Sequence, residues 1–166
     1  MTQPVILGIG DHYASDQQDT IIKTYALGSC VALILFHPGK RLAAMAHIAL
    51  PASRFSLSSQ RNKPGYYADT AISALLEAVQ ALPGNRDHGI VGLQAKLVGG
   101  ANVIEKKFYN FEIGERIEEE LCHLLAKYHI PIVAADTGGQ VSRTVSLETA
   151  SGKVTVTSAK RPPLSL

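Results

Sequence analysis

Cys30 and His47 are the two side chains whose types and placement suit covalent chemistry. A thiol attacks a carbonyl carbon once a neighbouring base takes its proton, and imidazole is the base best matched to neutral pH. The two residues stand at equal distances from the Pro38-Gly39 dipeptide, along the apolar stretches Val31 to Phe36 and Leu42 to Leu50. In a hairpin symmetric about that dipeptide they face one another, with Cβ atoms ~4.5–5.5 Å apart. A bulge or an asymmetric loop would shift the pairing by one residue and put them on opposite faces; the sequence leaves this open. An imidazole beside a thiol favours the reactive thiolate.

Gly28 and Ser29 precede the cysteine. A glycine there permits a sharp approach that leaves backbone N–H groups unpaired near the thiol, as an oxyanion hole requires. Thr24 lies near the end of the preceding strand, where its hydroxyl can hold the second imidazole nitrogen and fix the tautomer. A plainer alternative stands beside this one: a cysteine in an apolar strand is commonly inert packing, and a histidine between alanines a satisfied core residue. Cys122, within a helix beside its apolar stripe, takes the plainer reading. Gly99-Gly100 and Gly138-Gly139 match neither a P-loop nor a dinucleotide fingerprint and read as tight strand-to-loop turns that crowd backbone near a site. Asp69 reads as a helix-end residue, not an acid catalyst.

The elements that must position these residues follow from periodicity. Strands are expected at Val5 to Gly8, Ile21 to Ala26, Val31 to Phe36, Leu42 to Leu50, Leu93 to Val98 and Pro131 to Ala135. A closing hairpin pairs Thr144 to Glu148 with Lys153 to Thr157. Ile72, Leu75, Leu76, Val79 and Leu82 repeat at helical spacing before Pro83-Gly84, and a second helix runs from about Gly114 to Tyr128. The expected fold is α+β: a layered α/β/α-type sandwich with a mostly antiparallel or mixed sheet, in one domain over residues 1–166 with a loose tail from about 160.

The bulk numbers exclude several classes. The chain has 166 residues, 46% hydrophobic and 18% charged, a globular composition long enough to bury a core. A net charge of +2 with no Lys/Arg cluster argues against a nucleic-acid partner. The six histidines and two cysteines show no zinc-ligand spacing, and no cofactor or metal is expected. Neither a signal peptide nor a membrane-spanning run is visible, so a soluble, cytoplasmic protein without membrane insertion is expected.

Six motifs in order carry a family resemblance. Thr24-Tyr25-Ala26-Leu27-Gly28-Ser29-Cys30-Val31 resembles the cysteine motif of CheD, the chemoreceptor glutamine deamidase family of bacterial and archaeal chemotaxis. Met45-Ala46-His47-Ile48-Ala49-Leu50-Pro51 resembles its histidine motif, and Tyr67-Ala68-Asp69-Thr70-Ala71-Ile72 the next one. Gly99-Gly100-Ala101-Asn102, Ile113-Gly114-Glu115-Arg116 and Asp136-Thr137-Gly138-Gly139 follow in family order. The resemblance runs from about Ile6 to Val156. It implies a fold similar to bacterial toxin deamidases and a triad of Cys30 as nucleophile, His47 as base and Thr24 as orienting group. It also implies hydrolysis of glutamine side chains on the cytoplasmic helices of chemoreceptors, with glutamate methylesterase chemistry as a side activity. The chain departs from the family pattern at Tyr25-Ala26, usually Leu-Gly, at Ala43-Ala44, usually glycines, and at Ile117, usually Asn. The rival reading is a non-catalytic module that docks a CheC-type phosphatase.

The segment Ala52 to Gly65 leaves the strand carrying His47 and is basic, with Arg54, Arg61 and Lys63 and no acid. With Phe55 as an apolar anchor, it is expected to dock the glutamate-rich receptor helix that the resemblance implies.

Overall fold

The computed structural model describes residues 3–55, 63–103 and 112–166. Among the described residues, ten strands and two α-helices follow one another: β1 Val5–Leu7, β2 His12–Ser15, β3 Ile21–Leu27, β4 Val31–His37, β5 Leu42–Ile48, α1 Ala68–Gln80, β6 Gln94–Gly99, α2 Ile113–Lys127, β7 Ile132–Thr137, β8 Arg143–Glu148, β9 Val154–Ser158 and β10 Arg161–Ser165. Short 3₁₀ turns at Ser53–Phe55 and Pro64–Tyr66 lie between β5 and α1. The strands form two mixed five-stranded sheets, β1-β3-β8-β9-β10 and β2-β5-β4-β6-β7. The α+β sandwich expected from the sequence is present, but its layers run helix, sheet, sheet and not α/β/α, because both helices pack on the same face of β4 and β5.

The alternation of side chains explains the layering. β4 and β5 are apolar runs buried on both faces, as strands covered on two sides must be. Val31, Leu33, Leu35, Ala44, Ala46 and Ile48 pack with the helical stripes Ala68, Ile72, Leu75, Val79 and Ile117, Leu121, Leu125. The opposite faces, Ala32, Ile34, Phe36, Ala43 and Met45, meet Ile22, Leu27, Val145, Leu147 and Val156 of the other sheet. His47 has the parity of Ala43 and Met45 along β5, and Cys30 has the parity of Ala32. Both therefore belong to the space between the sheets.

Two expectations are corrected. The residues from about 160 are not loose: they form β10 against β9, and Lys96 reaches across to donate to Leu166 O at 2.9 Å and Gly152 O at 2.8 Å. The β4–β5 hairpin is not centred on Pro38-Gly39. Its loop spans residues 38–41, with Arg41 at φ 52, so His47 pairs with Ala32 and not with Cys30. The register is offset by two residues, which preserves the face. Cys30 and His47 are thus diagonal neighbours, a relation that spans ~7–8 Å between Cα atoms in a regular ladder and stays within reach of long side chains.

β3 carries an irregularity between Thr24 and Leu27, where Ala26 sits at φ 54. The left-handed region costs a non-glycine residue about 1–2 kcal/mol. This is the position at which the resemblance leads one to expect glycine. Ala26→Gly should stabilise the protein by about 0.5–1 kcal/mol, raising Tm by roughly 2–4 °C in a thermal melt. A lowered Tm would show that the alanine methyl contributes more by packing than the strain costs.

Candidate active site

Three elements converge on the inter-sheet space. β3 supplies Thr24, fully buried; β5 supplies His47, 3% exposed; and the turn before β4 supplies Cys30, half-buried. Thr24 Oγ1 donates to Leu7 O at 2.9 Å and lies 2.7 Å from His47 Nδ1. The hydroxyl proton is committed to the carbonyl, so the contact with His47 is an Nδ1–H donating to the threonine oxygen. The imidazole then carries its free lone pair on Nε2. That atom is buried and has no hydrogen-bond partner among the described residues. A buried polar atom left unpaired costs about 1–3 kcal/mol. A nitrogen kept available on the face it shares with a thiol is what a general base needs.

The turn carrying Cys30 is held through its carbonyls. Gly28 O accepts from Ala101 N at 2.7 Å, and Cys30 O accepts from Gly100 N at 2.8 Å. Gly99, at φ 117, makes this possible, because a Cβ there would lie 2.3 Å from Cys30 O. Gly138 N donates to Gly99 O at 2.9 Å and Asn102 N to Gly139 O at 2.8 Å, so the two glycine pairs brace one another behind the cysteine. They act as the tight turns expected from the sequence. Among the described residues, no hydrogen bond uses the amides of Ser29 or Cys30. Backbone N–H groups left unpaired beside a thiol are what an oxyanion hole requires.

Burial sets the resting electrostatics. It pushes the Cys30 thiol above its ordinary value. It pushes His47 below its ordinary 6.5, while the Asp11 carboxylate acts the other way. Both shifts disfavour the charged forms, so burial works against the thiolate that an adjacent imidazole would favour. Cys122 is exposed on α2, and burial together with Glu118 raises its thiol pKa. It lines a shallow surface pocket with Leu125, His129 and Ile132.

Of the expected docking residues, Arg54 is exposed in the first 3₁₀ turn. That turn is anchored by Asp69, which accepts from Ser53 N at 3.0 Å and Ser53 Oγ at 2.8 Å, from its place in the first turn of α1. Arg61 and the side chain of Phe55 lie outside the described residues. Lys63 is engaged in an ion pair with Asp11, at 3.1 Å. Asp11 was missed in the sequence because its link to His47 runs through backbone atoms, which residue types do not signal.

Thr24→Val keeps shape and strand preference but removes the acceptor at Nδ1. One net hydrogen bond of about 1 kcal/mol predicts a turnover number lower by roughly fivefold to tenfold with KM little changed, and Thr24→Ser should restore it. An unchanged kcat would reduce Thr24 to packing.

Comparison with known proteins identifies the family. Residues 49–158 match the family described as CheD chemotactic sensory transduction. A protein of Syntrophotalea carbinolica named "Probable chemoreceptor glutamine deamidase CheD" is 39% identical over 152 residues, 92% of each chain. The "Chemoreceptor glutamine deamidase CheD" of Thermotoga maritima is 37% identical over 151 residues, 91% of this chain and 89% of its own. A Pyrococcus abyssi relative named like the first is 38% identical over 156 residues, 93% of this chain and 91% of its own. The family match begins just after His47, but alignments of this extent also take in the segment from Thr24 to His47. With two thirds of its length matching the family model and relatives aligned over nine-tenths of it, the chain belongs to the CheD family.

Proposed function

We propose that this protein is a chemoreceptor glutamine deamidase, hydrolysing glutamine side-chain amides to glutamate with Cys30 as nucleophile. The observation that carries the reading is His47, oriented at Nδ1 by Thr24 and left with an unpartnered Nε2 on the cysteine's face of the sheet. The relatives' names supply the substrate class.

The reaction follows from the protonation states. His47 Nε2 takes the thiol proton as Cys30 Sγ bonds to the amide carbon. The carbonyl electron pair moves to oxygen, which the Ser29 and Cys30 amides receive. The oxyanion collapses, the C–N bond breaks, and the imidazolium passes its proton to the departing nitrogen as ammonia. A thioester remains. Water gives a proton to His47 and attacks the thioester; glutamate leaves and the thiol is reprotonated. A glutamate methyl ester would follow the same path with methanol as leaving group. No step draws on a cofactor.

No helix among the described residues is long and apolar enough to cross a membrane. The proposed setting is the cytoplasm, where the substrate helices of receptors lie, with the basic segment around Arg54 turned toward them and a CheC-type phosphatase as a further partner. A docking module without turnover would leave the oriented imidazole without a use. The test is mass spectrometry of receptor fragments incubated with the protein: each deamidated glutamine gains about one mass unit, since OH replaces NH₂ in acyl transfer. Fragments that bind but keep their mass would favour the docking module.

A further inference from the structure

The loop between β1 and β2 holds His47 by its main chain. Gly10 N donates to His47 O at 2.8 Å, and His47 N donates to Asp11 O at 3.0 Å. The Asp11 carboxylate turns back on the same loop. One oxygen accepts from Gly8 N at 2.8 Å, and the other meets Lys63 Nζ at 3.1 Å. Lys63 also donates to Ile9 O at 3.3 Å. Gly65 lies against the loop so closely that a Cβ there would be 2.5 Å from Gly10 O. The chain that leaves the strand of His47 thus returns, at Lys63 to Gly65, to the loop that grips His47. The Asp11 and Lys63 side chains are 40% and 53% exposed, so solvent reaches the pair.

We infer that Asp11 and Lys63 are a positioning pair for the base: they close the loop that grips the main chain of His47, and the net charge of the pair acts on the imidazole. The inference rests on the deamidase reading. Two elements act on the imidazole: β3, whose Thr24 hydroxyl lies 2.7 Å from Nδ1, and the β1–β2 loop with Asp11; the Cys30 thiol packs against the same inter-sheet core without bonding to Nε2. Asp11 is the one charged group acting on His47 among the described residues, and it opposes the effect of burial. It therefore aids the step in which His47 takes up the thiol proton. Lys63, bonded to the same carboxylate, weakens that aid.

The signs make the inference testable. Asp11→Asn keeps an acceptor for Gly8 N but removes the charge, so His47 should titrate lower. Lys63→Gln leaves the Asp11 charge without its offset, so His47 should titrate higher. A clamp with no electrostatic role would move neither midpoint, or both alike. The measurement is an NMR titration of the His47 imidazole, its resonance assigned by its absence in His47→Gln. The expected result is opposite shifts, each on the order of half a pH unit, with the parent midpoint kept in Lys63→Arg. The acid limb of kcat/KM on a receptor fragment should move the same way in each variant. Coincident midpoints, or shifts in one direction, overturn the inference. Opposite shifts in a protein that leaves receptor fragments unchanged would sustain it and sink the deamidase reading.

Discussion

Cys30→Ala is expected to abolish deamidation of receptor glutamines, by on the order of 10³-fold or more, with the fold retained. Without the sulfur there is no thioester, and oxyanion donors with an oriented base can only assist direct attack by water. The side chain is half-buried at the entry to β4 and packs at the rim of the inter-sheet core, so its loss leaves a small defect. Cys122→Ala is the control. That thiol is exposed on α2, and activity should match the parent. Turnover by the Cys30 variant within tenfold of the parent would end the assignment of the nucleophile.

His47→Gln should lower kcat/KM by roughly 10²–10⁴-fold, the usual contribution of a positioned general base. Glutamine fills similar space but cannot take the thiol proton. The pH profile of the parent provides a second check. His47 must be neutral to act, and burial holds its pKa below the ordinary 6.5. As pH falls, activity should persist through 6.5 and decline only when His47 protonates below it. Above neutrality no loss of His47 function is expected, because the free base is the working form. An acid limb above 6.5 would mean that His47 is not held below its ordinary value, whereas activity lost on the alkaline side, as an imidazolium gives up its proton, would point to a thiolate–imidazolium resting pair.

Much of this was legible in the sequence. The apolar runs of β4 and β5, the helical stripes of α1 and α2, and the β8–β9 hairpin follow from periodicity alone. Thr24, Cys30 and His47 stand out by residue type and order; the structure joins Thr24 to His47 directly, while His47 Nε2 makes no bond to Cys30. What was not legible has physical causes. β2, His-Tyr-Ala-Ser, has too little alternation to announce a strand and exists through its pairing with β5. β10 contains Pro162 and Pro163, which read as a loose tail and are tolerated because the strand lies at a sheet edge. The hairpin register was missed because Pro-Gly suggests a two-residue turn, whereas Arg41 adopts a left-handed conformation that its side chain does not advertise. Face was right and pairing wrong, since the offset was even.

The rims of the two sheets bear on how the protein behaves when concentrated. Three of them are guarded: β1 has three residues, β2 has four, and β10 has two prolines that offer no amide donor. β7 is different. It is six residues long and carries Ile132 and Val133 exposed, with neither lysine nor proline along it. Open strand rims of this kind template the addition of further chains. Self-association in crowded solution would therefore begin at β7. Ile132 pairs with Ala95, at the far end of the sheet from Gly99 and Cys30, so early aggregates would leave the turn that carries Cys30 open. Turbidity in a concentrated sample would then precede any loss of activity.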